Sequence, residues 1–261
     1  MIVQYLITFL FGSVVGSFLN VCIYRIPRDS SVIFPPSRCP LCDSPIKPYD
    51  NIPIVSFVLL GGQCRQCRAG ISPRYPLVEA LNAFLYILVL WRFGPGWHLP
   101  FLLAFCSAMI VITFIDLDFK IIPDSISLPG IVVGLIAGSL VLPDPFDRLS
   151  PLGFRESALG FLAGGLVFFL IAEVSFRILR QEAMGGGDIK MMAMIGAFLG
   201  WKSVLLTTFA GSLFGSVVGI SLMLLKGTGK KTKLPFGPFL ALGALLSMLC
   251  GQEILSLYLR R

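Results

Sequence analysis

Two acidic clusters and two cysteine pairs hold most of the side chains in this 261-residue chain that could do chemistry. The first cluster is Ile115-Asp116-Leu-Asp118-Phe-Lys120-Ile-Ile-Pro123-Asp124, and the second is Gly185-Gly186-Gly187-Asp188-Ile-Lys190. Two neighbouring carboxylates cannot both ionise freely, so such a pair shares one proton. One member can then take a proton from water while the other polarises a carbonyl. Asp116 directly continues the apolar run Met109–Ile115, which places it at the boundary of a bilayer. Ionisable groups at that depth are costly and are functional candidates by default. Asp118 is placed to face water or Lys120, and Asp124, between Pro123 and Ser125, reads as a helix initiator. Three glycines before Asp188 leave room for another backbone beside it. Read blandly, the first cluster is a polar loop and the second a flexible turn. Together, Asp116 and Asp188 supply what an aspartic peptidase needs.

Cys39-Pro-Leu-Cys42 and Cys64-Arg-Gln-Cys67 are separated by a stretch of 21 residues. Two such knuckles can set four thiolates tetrahedrally around one zinc at roughly 2.3 Å each. Pro40, Pro45, Gly61 and Gly62 permit the tight turns. A closed four-sulfur site has no open coordination position, so it implies a structural metal that folds a loop too small to fold alone. Cys22, Cys106 and Cys250 lie in apolar runs, where free cysteines behave as small hydrophobes.

The elements that must position these groups are membrane helices. Of the residues, 56% are hydrophobic and only 13% charged, where soluble domains carry roughly 25% charge. The mean hydropathy is +0.86. Apolar segments over 2–24, 77–91, 99–115, 126–142, 157–178, 189–200, 203–225 and 236–258 predict an all-α polytopic membrane protein of about eight transmembrane helices. The sixth is short enough to be a half-span, or to form one broken helix with the seventh. Gly12/Gly16 and Gly211/Gly215/Gly219 have the spacing that brings helix backbones together. The N-terminus lacks a basic region and a cleavage site and reads as a retained span. The division expected is 1–24 as first helix, 25–76 as a four-cysteine loop and 77–261 as a membrane core.

The net charge of +7 could suggest nucleic acid, but the basic residues sort by membrane side, and no nucleic-acid partner is expected. Placing 25–76, 116–125, 179–190 and 226–235 together, with Arg177 at the edge of that side, leaves only Arg92, Arg148, Arg155, Lys202, Arg260 and Arg261 opposite. The positive-inside rule puts the richer side in the cytoplasm and both termini outside it. The cysteines are then in a reducing compartment, which argues against disulfides.

The motifs also carry a family resemblance. Gly16-Ser-Phe-Leu-Asn20-Val with Arg25-Ile-Pro27, the two cysteine pairs, and Ser72 to Glu79 come in order. Ile115 to Asp124, Gly185 to Lys190 and Pro235 to Ala241 complete the series. In these the chain resembles the bacterial type IV prepilin peptidases, leader peptidase/N-methyltransferases of the Gly-x-Gly-Asp class. The resemblance implies Asp116 and Asp188 as catalytic pair. It implies cleavage of the basic leader of prepilins or type II secretion pseudopilins after a glycine, at the cytoplasmic face of the inner membrane. It further implies methylation of the new N-terminal residue with S-adenosylmethionine. No Gly-rich nucleotide fingerprint is present, and no residue is assigned to that donor. Asn20, Arg25, Glu79 and Lys190 are candidate site-lining groups, for which an anchoring or packing role is as good a reading. Membrane lipid is the other expected partner, since anionic headgroups attract a basic leader.

Two other functions are weighed against this one. An ion- or proton-coupled transporter would need acids at mid-span, of which Glu173 is the clearest. A zinc-dependent scaffold would account for the cysteines but not for the glycine-rich aspartate motif.

Overall fold

The structure is a computed structural model that describes residues 2–147, 150–180, 185–226 and 234–259. Arg148, Met184, Arg260, Arg261 and the lysines of 227–233, all used in the sequence reading, lie outside the described residues. The described chain is almost wholly helical. Its helices are α1 (Ile2–Arg25), α2 (Val55–Leu59), α3 (Arg74–Phe93), α4 (Leu99–Phe119), α5 (Asp124–Leu140), α6 (Gly153–Leu162), α7 (Phe168–Leu179), α8 (Gly186–Lys226) and α9 (Gly237–Leu259). A π-helical turn, Ala163–Val167, makes α6 and α7 continuous.

Among the described residues, six helices are long and apolar enough to cross a membrane, with α5 a shorter apolar helix. α8 counts once among these, yet Gly200 inside it has φ 80° and ψ 171°. That is a conformation only glycine adopts readily, and it breaks the helix. The eight apolar segments read from the sequence are thus all helical, and the sixth and seventh are the two parts of a broken helix. α4 runs one turn further than its apolar segment, so Asp116 is helical rather than in the following loop.

The chain divides into two compact units. One comprises the residues up to Pro95 together with Cys106–Val111. Here α1 lies directly on α3. A Cβ placed on Gly12 or Gly16 would stand 2.7 Å from the Cα of Ala83 or Glu79. The bared carbonyls are used: Asn82 Nδ2 donates to the Gly12 carbonyl at 2.7 Å. Ser107 donates to Asn82 Oδ1 at 3.2 Å and lies 2.9 Å from the Tyr86 hydroxyl. With no water at this depth, such bonds satisfy polar groups that would otherwise be left unpaired.

The other unit comprises Gly96–Phe105 and Ile112 onward. Its centre is the first part of α8, where every residue of 191–200 is buried. A helix apolar all round belongs inside a bundle. Its neighbours approach through glycine. A Cβ on Gly160 would stand 2.1 Å from the Gly196 carbonyl oxygen, and one on Gly196 would stand 2.0 Å from that of Gly160. Ser157 donates to the Ala197 carbonyl at 2.7 Å, fixing the same contact. The second part of α8 packs on α9, where Gly211 meets Phe239 and Leu240.

Candidate active site

Three helix ends build the aspartate site, all in the second unit. α4 ends at Lys120, whose residue is left-handed at φ 57° and whose N–H returns to the Asp116 carbonyl at 2.9 Å. The last turn of α4 therefore holds Asp116 by backbone as well as by packing, and Asp116 is only 5% exposed. Its Oδ2 accepts a hydrogen bond from the Gly237 N–H at 2.8 Å. Gly237 opens α9, so this N–H is one of the donors that a helix start leaves unpaired. The positive end of the helix dipole faces the same carboxylate.

Asp188 occupies the first turn of α8 and is half-buried. Its N–H donates to the Gly185 carbonyl at 3.1 Å. A Cβ on Gly185 would stand 3.3 Å from its Oδ2, so the glycine run leaves this carboxylate uncovered on one side. The Asp188 carboxyl lies near enough to that of Asp116 to feel its charge. Depth and the glycine motif thus single out two residues that the fold brings near one another.

The segment between α4 and α5 is tied to the start of α8 twice. Gly187 packs against Ile122, where a Cβ would come within 2.9 Å of the isoleucine Cβ. Lys190 Nζ donates to both carboxylate oxygens of Asp124 at 2.7 Å. Asp124 is thus not the helix cap read from the sequence. Pro123 holds the cap position of α5 without a side-chain bond, and Asp124 is spent on Lys190. Asp118 is exposed.

In the first unit the four cysteines gather. Their Sγ atoms all lie within 4.8 Å of one another, and Cys39 and Cys67 are 3.8 Å apart. Sulfurs at the corners of a tetrahedron of radius 2.3 Å stand about 3.8 Å apart, so the four thiols fit a structural metal of that geometry. The Ser44 hydroxyl, then its backbone N–H, draw the Cys42 thiol down to about 6, favouring the thiolate that a metal needs. Nearby, the Arg65 guanidinium holds Asp50 below its ordinary value through a 2.6 Å bond.

The two knuckles are copies of one another, a feature the sequence reading missed. The first cysteine N–H of each donates to a carbonyl five residues on, Cys39 to Ser44 and Cys64 to Ala69. Asp43 and Arg68 are each left-handed, at φ 52° and 59°. Ile46 and Ile71 then donate back to Ser37 and Gly62. The signal was present: both cysteines and the isoleucine recur at one constant offset.

The other candidate site-lining residues act on the chain itself. Asn20 Nδ2 donates to the Tyr75 carbonyl at 3.1 Å, joining α1 to the start of α3. Arg25 donates to the carbonyls of Ser31 and Pro35. Buried Glu79 accepts the Ile54 N–H at 2.7 Å. Ile54 has φ 61° and ψ −49°, where a β-branched residue is strained.

These observations define a polytopic membrane protein with a buried aspartate, a half-buried one near it and a four-cysteine loop. Residues 10–93 match the Bacterial Peptidase A24 N-terminal domain, and residues 103–220 match the Type IV leader peptidase family. The chain belongs to that family. It is 35% identical over 278 residues to a prepilin leader peptidase/N-methyltransferase of Pseudomonas aeruginosa, covering 98% of this chain and 93% of that protein. The enzyme of the same name from Legionella pneumophila is 32% identical over 279 residues, covering 98% and 94%. That from Myxococcus xanthus is 40% identical over 226 residues, covering 86% of this chain and 65% of the relative. No solved structure matches.

Proposed function

We propose that this chain is a prepilin leader peptidase and N-methyltransferase, with Asp116 and Asp188 as the catalytic pair of its peptidase. The observation that carries the reading is their meeting in one site at three helix ends, in a chain of this family. Asp116, receiving a helix-terminal N–H, is the member suited to act as anion and general base. Asp188 then carries the shared proton and donates it to the scissile carbonyl. Water attacks that carbonyl to give a gem-diol; as the C–N bond breaks, the proton taken by Asp116 passes to the departing amine and a hydroxyl of the gem-diol returns its proton to Asp188. Gly185, with no side chain beside Asp188, leaves space for the substrate backbone.

The substrates are prepilins or type II secretion pseudopilins, cut after glycine. Their basic leader followed by an apolar helix would rest at the cytoplasmic face of the inner membrane, where anionic lipid also attracts it. Both termini of the enzyme then lie outside the cytoplasm. The working division is 1–24, 25–76 and 77–261. Cys39, Cys42, Cys64 and Cys67 hold a structural zinc, which would fold the loop and take no part in hydrolysis. Methylation uses S-adenosylmethionine. The cavity between α8 and α9 is lined by Ser, Gly, Leu, Pro and Phe, with no charged group to meet the donor's ammonium, sulfonium and carboxylate. It does not fit S-adenosylmethionine. A relay transporter draws no support from Glu173, which pairs with Arg177 one turn on at 2.7 Å.

The test is to incubate the purified protein with a prepilin, with and without S-adenosylmethionine, and record product masses. Loss of the leader, with the mass of one methyl group added only when the donor is present, is the expected result. An intact substrate would refute the peptidase reading, and a cut but never methylated product would refute the methyltransferase.

A further inference from the structure

Leu234, Phe236 and Phe239, at and just before the start of α9, face Ser212, Gly215 and Ser216 on the second part of α8. Between them is a cavity of about 270 Å³. Small-molecule sites occupy roughly 300–1,000 Å³, so this one is sized for a side chain. Its lining side chains carry no charge and no polar group beyond the hydroxyls of Ser212 and Ser216, which favours an apolar occupant over a charged one. Glycine makes the room: a Cβ on Gly215 would already stand 3.4 Å from Phe239 and 3.6 Å from Phe236.

Position decides what enters it. Phe236 immediately precedes Gly237, whose N–H holds Oδ2 of Asp116, so one wall of the cavity is the residue next to the partner of the carboxylate. Phe239 lies further along α9 than Gly237, on the side that continues into the bilayer. The part of a substrate that enters the bilayer is the apolar stretch beyond the scissile bond. We propose that this cavity is the subsite for the large apolar side chain that immediately follows the scissile bond, with Gly215, Phe236 and Phe239 setting its size. The proposal rests on the peptidase reading and names a specificity pocket for it. A filled pocket draws the substrate backbone toward Asp116. An added methylene in an apolar pocket is worth about 10–200-fold in specificity, so the effect is readily measured.

The experiment uses the full chain in detergent and four prepilins whose residue after the scissile bond is Ala, Leu, Phe or Trp. Wild-type kcat/KM should favour Leu or Phe over Ala by about tenfold or more. Gly215→Leu, which fills the cavity, should lower the Phe-to-Ala ratio by about tenfold or more, with Gly215→Ala between the two. Ser216→Leu, on the exposed lip of the groove, makes the same test should Gly215→Leu not fold. Equal losses on all four substrates, or no loss on any, would overturn the subsite; the second is also the result if the groove merely holds a lipid chain. Cleavage of none of the four by wild type would remove the peptidase reading and the subsite with it. Cleavage blind to the side chain would remove the subsite alone.

Discussion

The N–H of Gly237 reaches across 121 residues of chain to Oδ2 of Asp116, at 2.8 Å. Two helix ends meet at this bond, and it fixes which way the buried carboxylate points. A Cβ on Gly237 would stand only 2.6 Å from the same oxygen. Gly237→Ala should therefore displace the Asp116 carboxylate without emptying any core. Displacing a catalytic group by about 1 Å costs on the order of 10²-fold. Prepilin cleavage by this variant should fall by about that factor, while its melting temperature stays close to that of the wild type. Undiminished kcat/KM would show that the bond does not position the carboxylate.

Lys190 and Asp124 should be coupled. Both are about half exposed, so their pairing is worth only about 0.2–1 kcal/mol in stability. The consequence for activity is larger, because Lys190 is two residues from Asp188 and the pair pins the start of α8. Lys190→Met and Asp124→Asn should each lower kcat, and the double variant should be little worse than either. Fully additive losses in a double-mutant cycle would separate the two residues.

Glu79 and Ile54 make a third test. Removing the Glu79 carboxylate leaves a part-buried N–H without this acceptor, at about 1 kcal/mol. It also frees a strained isoleucine that the bond now holds. Glu79→Ala should speed hydrogen exchange and proteolysis around residues 52–60, whereas Glu79→Gln, whose amide oxygen can still accept, should not. Identical protection in all three proteins would contradict this role.

The cysteine loop gives a dependence on pH. Cys42 is drawn down to about 6 from an ordinary 9.0, chiefly by Ser44. For Cys42 the folded loop favours the thiolate, a contribution complete above pH 9 and lost as pH falls through about 6, whereas burial and hydrogen bonds within the cluster push Cys67 beside it up to about 11. Metal bound to Cys39, Cys42, Cys64 and Cys67 should accordingly be extracted by a chelator much faster at pH 5 than at pH 7.5. Cys39→Ser should abolish bound zinc measured by atomic absorption, and unchanged zinc content would refute the site.

How far this was legible follows from the range of each interaction. Asp116 and Asp188 stood out because depth and the glycine run are local in sequence. Gly237 did not, because nothing in Pro235-Phe-Gly-Pro says which distant group its N–H will meet. Asp124 was read only in part for the same reason: Pro123-Asp124-Ser125 does start α5, but the partner of the Asp124 carboxylate, Lys190, is 66 residues away. Glycine spacing identified Gly12 and Gly16, whose contacts are with α3, but passed over Gly160 and Gly196, which meet each other from separate helices. The break at Gly200 left a visible trace, a short apolar segment followed at once by a long one. The repeated knuckles were open to reading by offset, yet only the cysteines were taken from them.

The central claim is that Asp116 and Asp188 act as one catalytic unit. Asp116→Asn, Asp188→Asn and the double variant should be purified beside the wild type and their cleavage of a prepilin followed by mass spectrometry. Each single variant should lose nearly all activity, on the order of 10³-fold or more, and the double should be no worse, as residues acting as a unit behave. Retention of cleavage by either single variant, in a folded protein, would contradict the account.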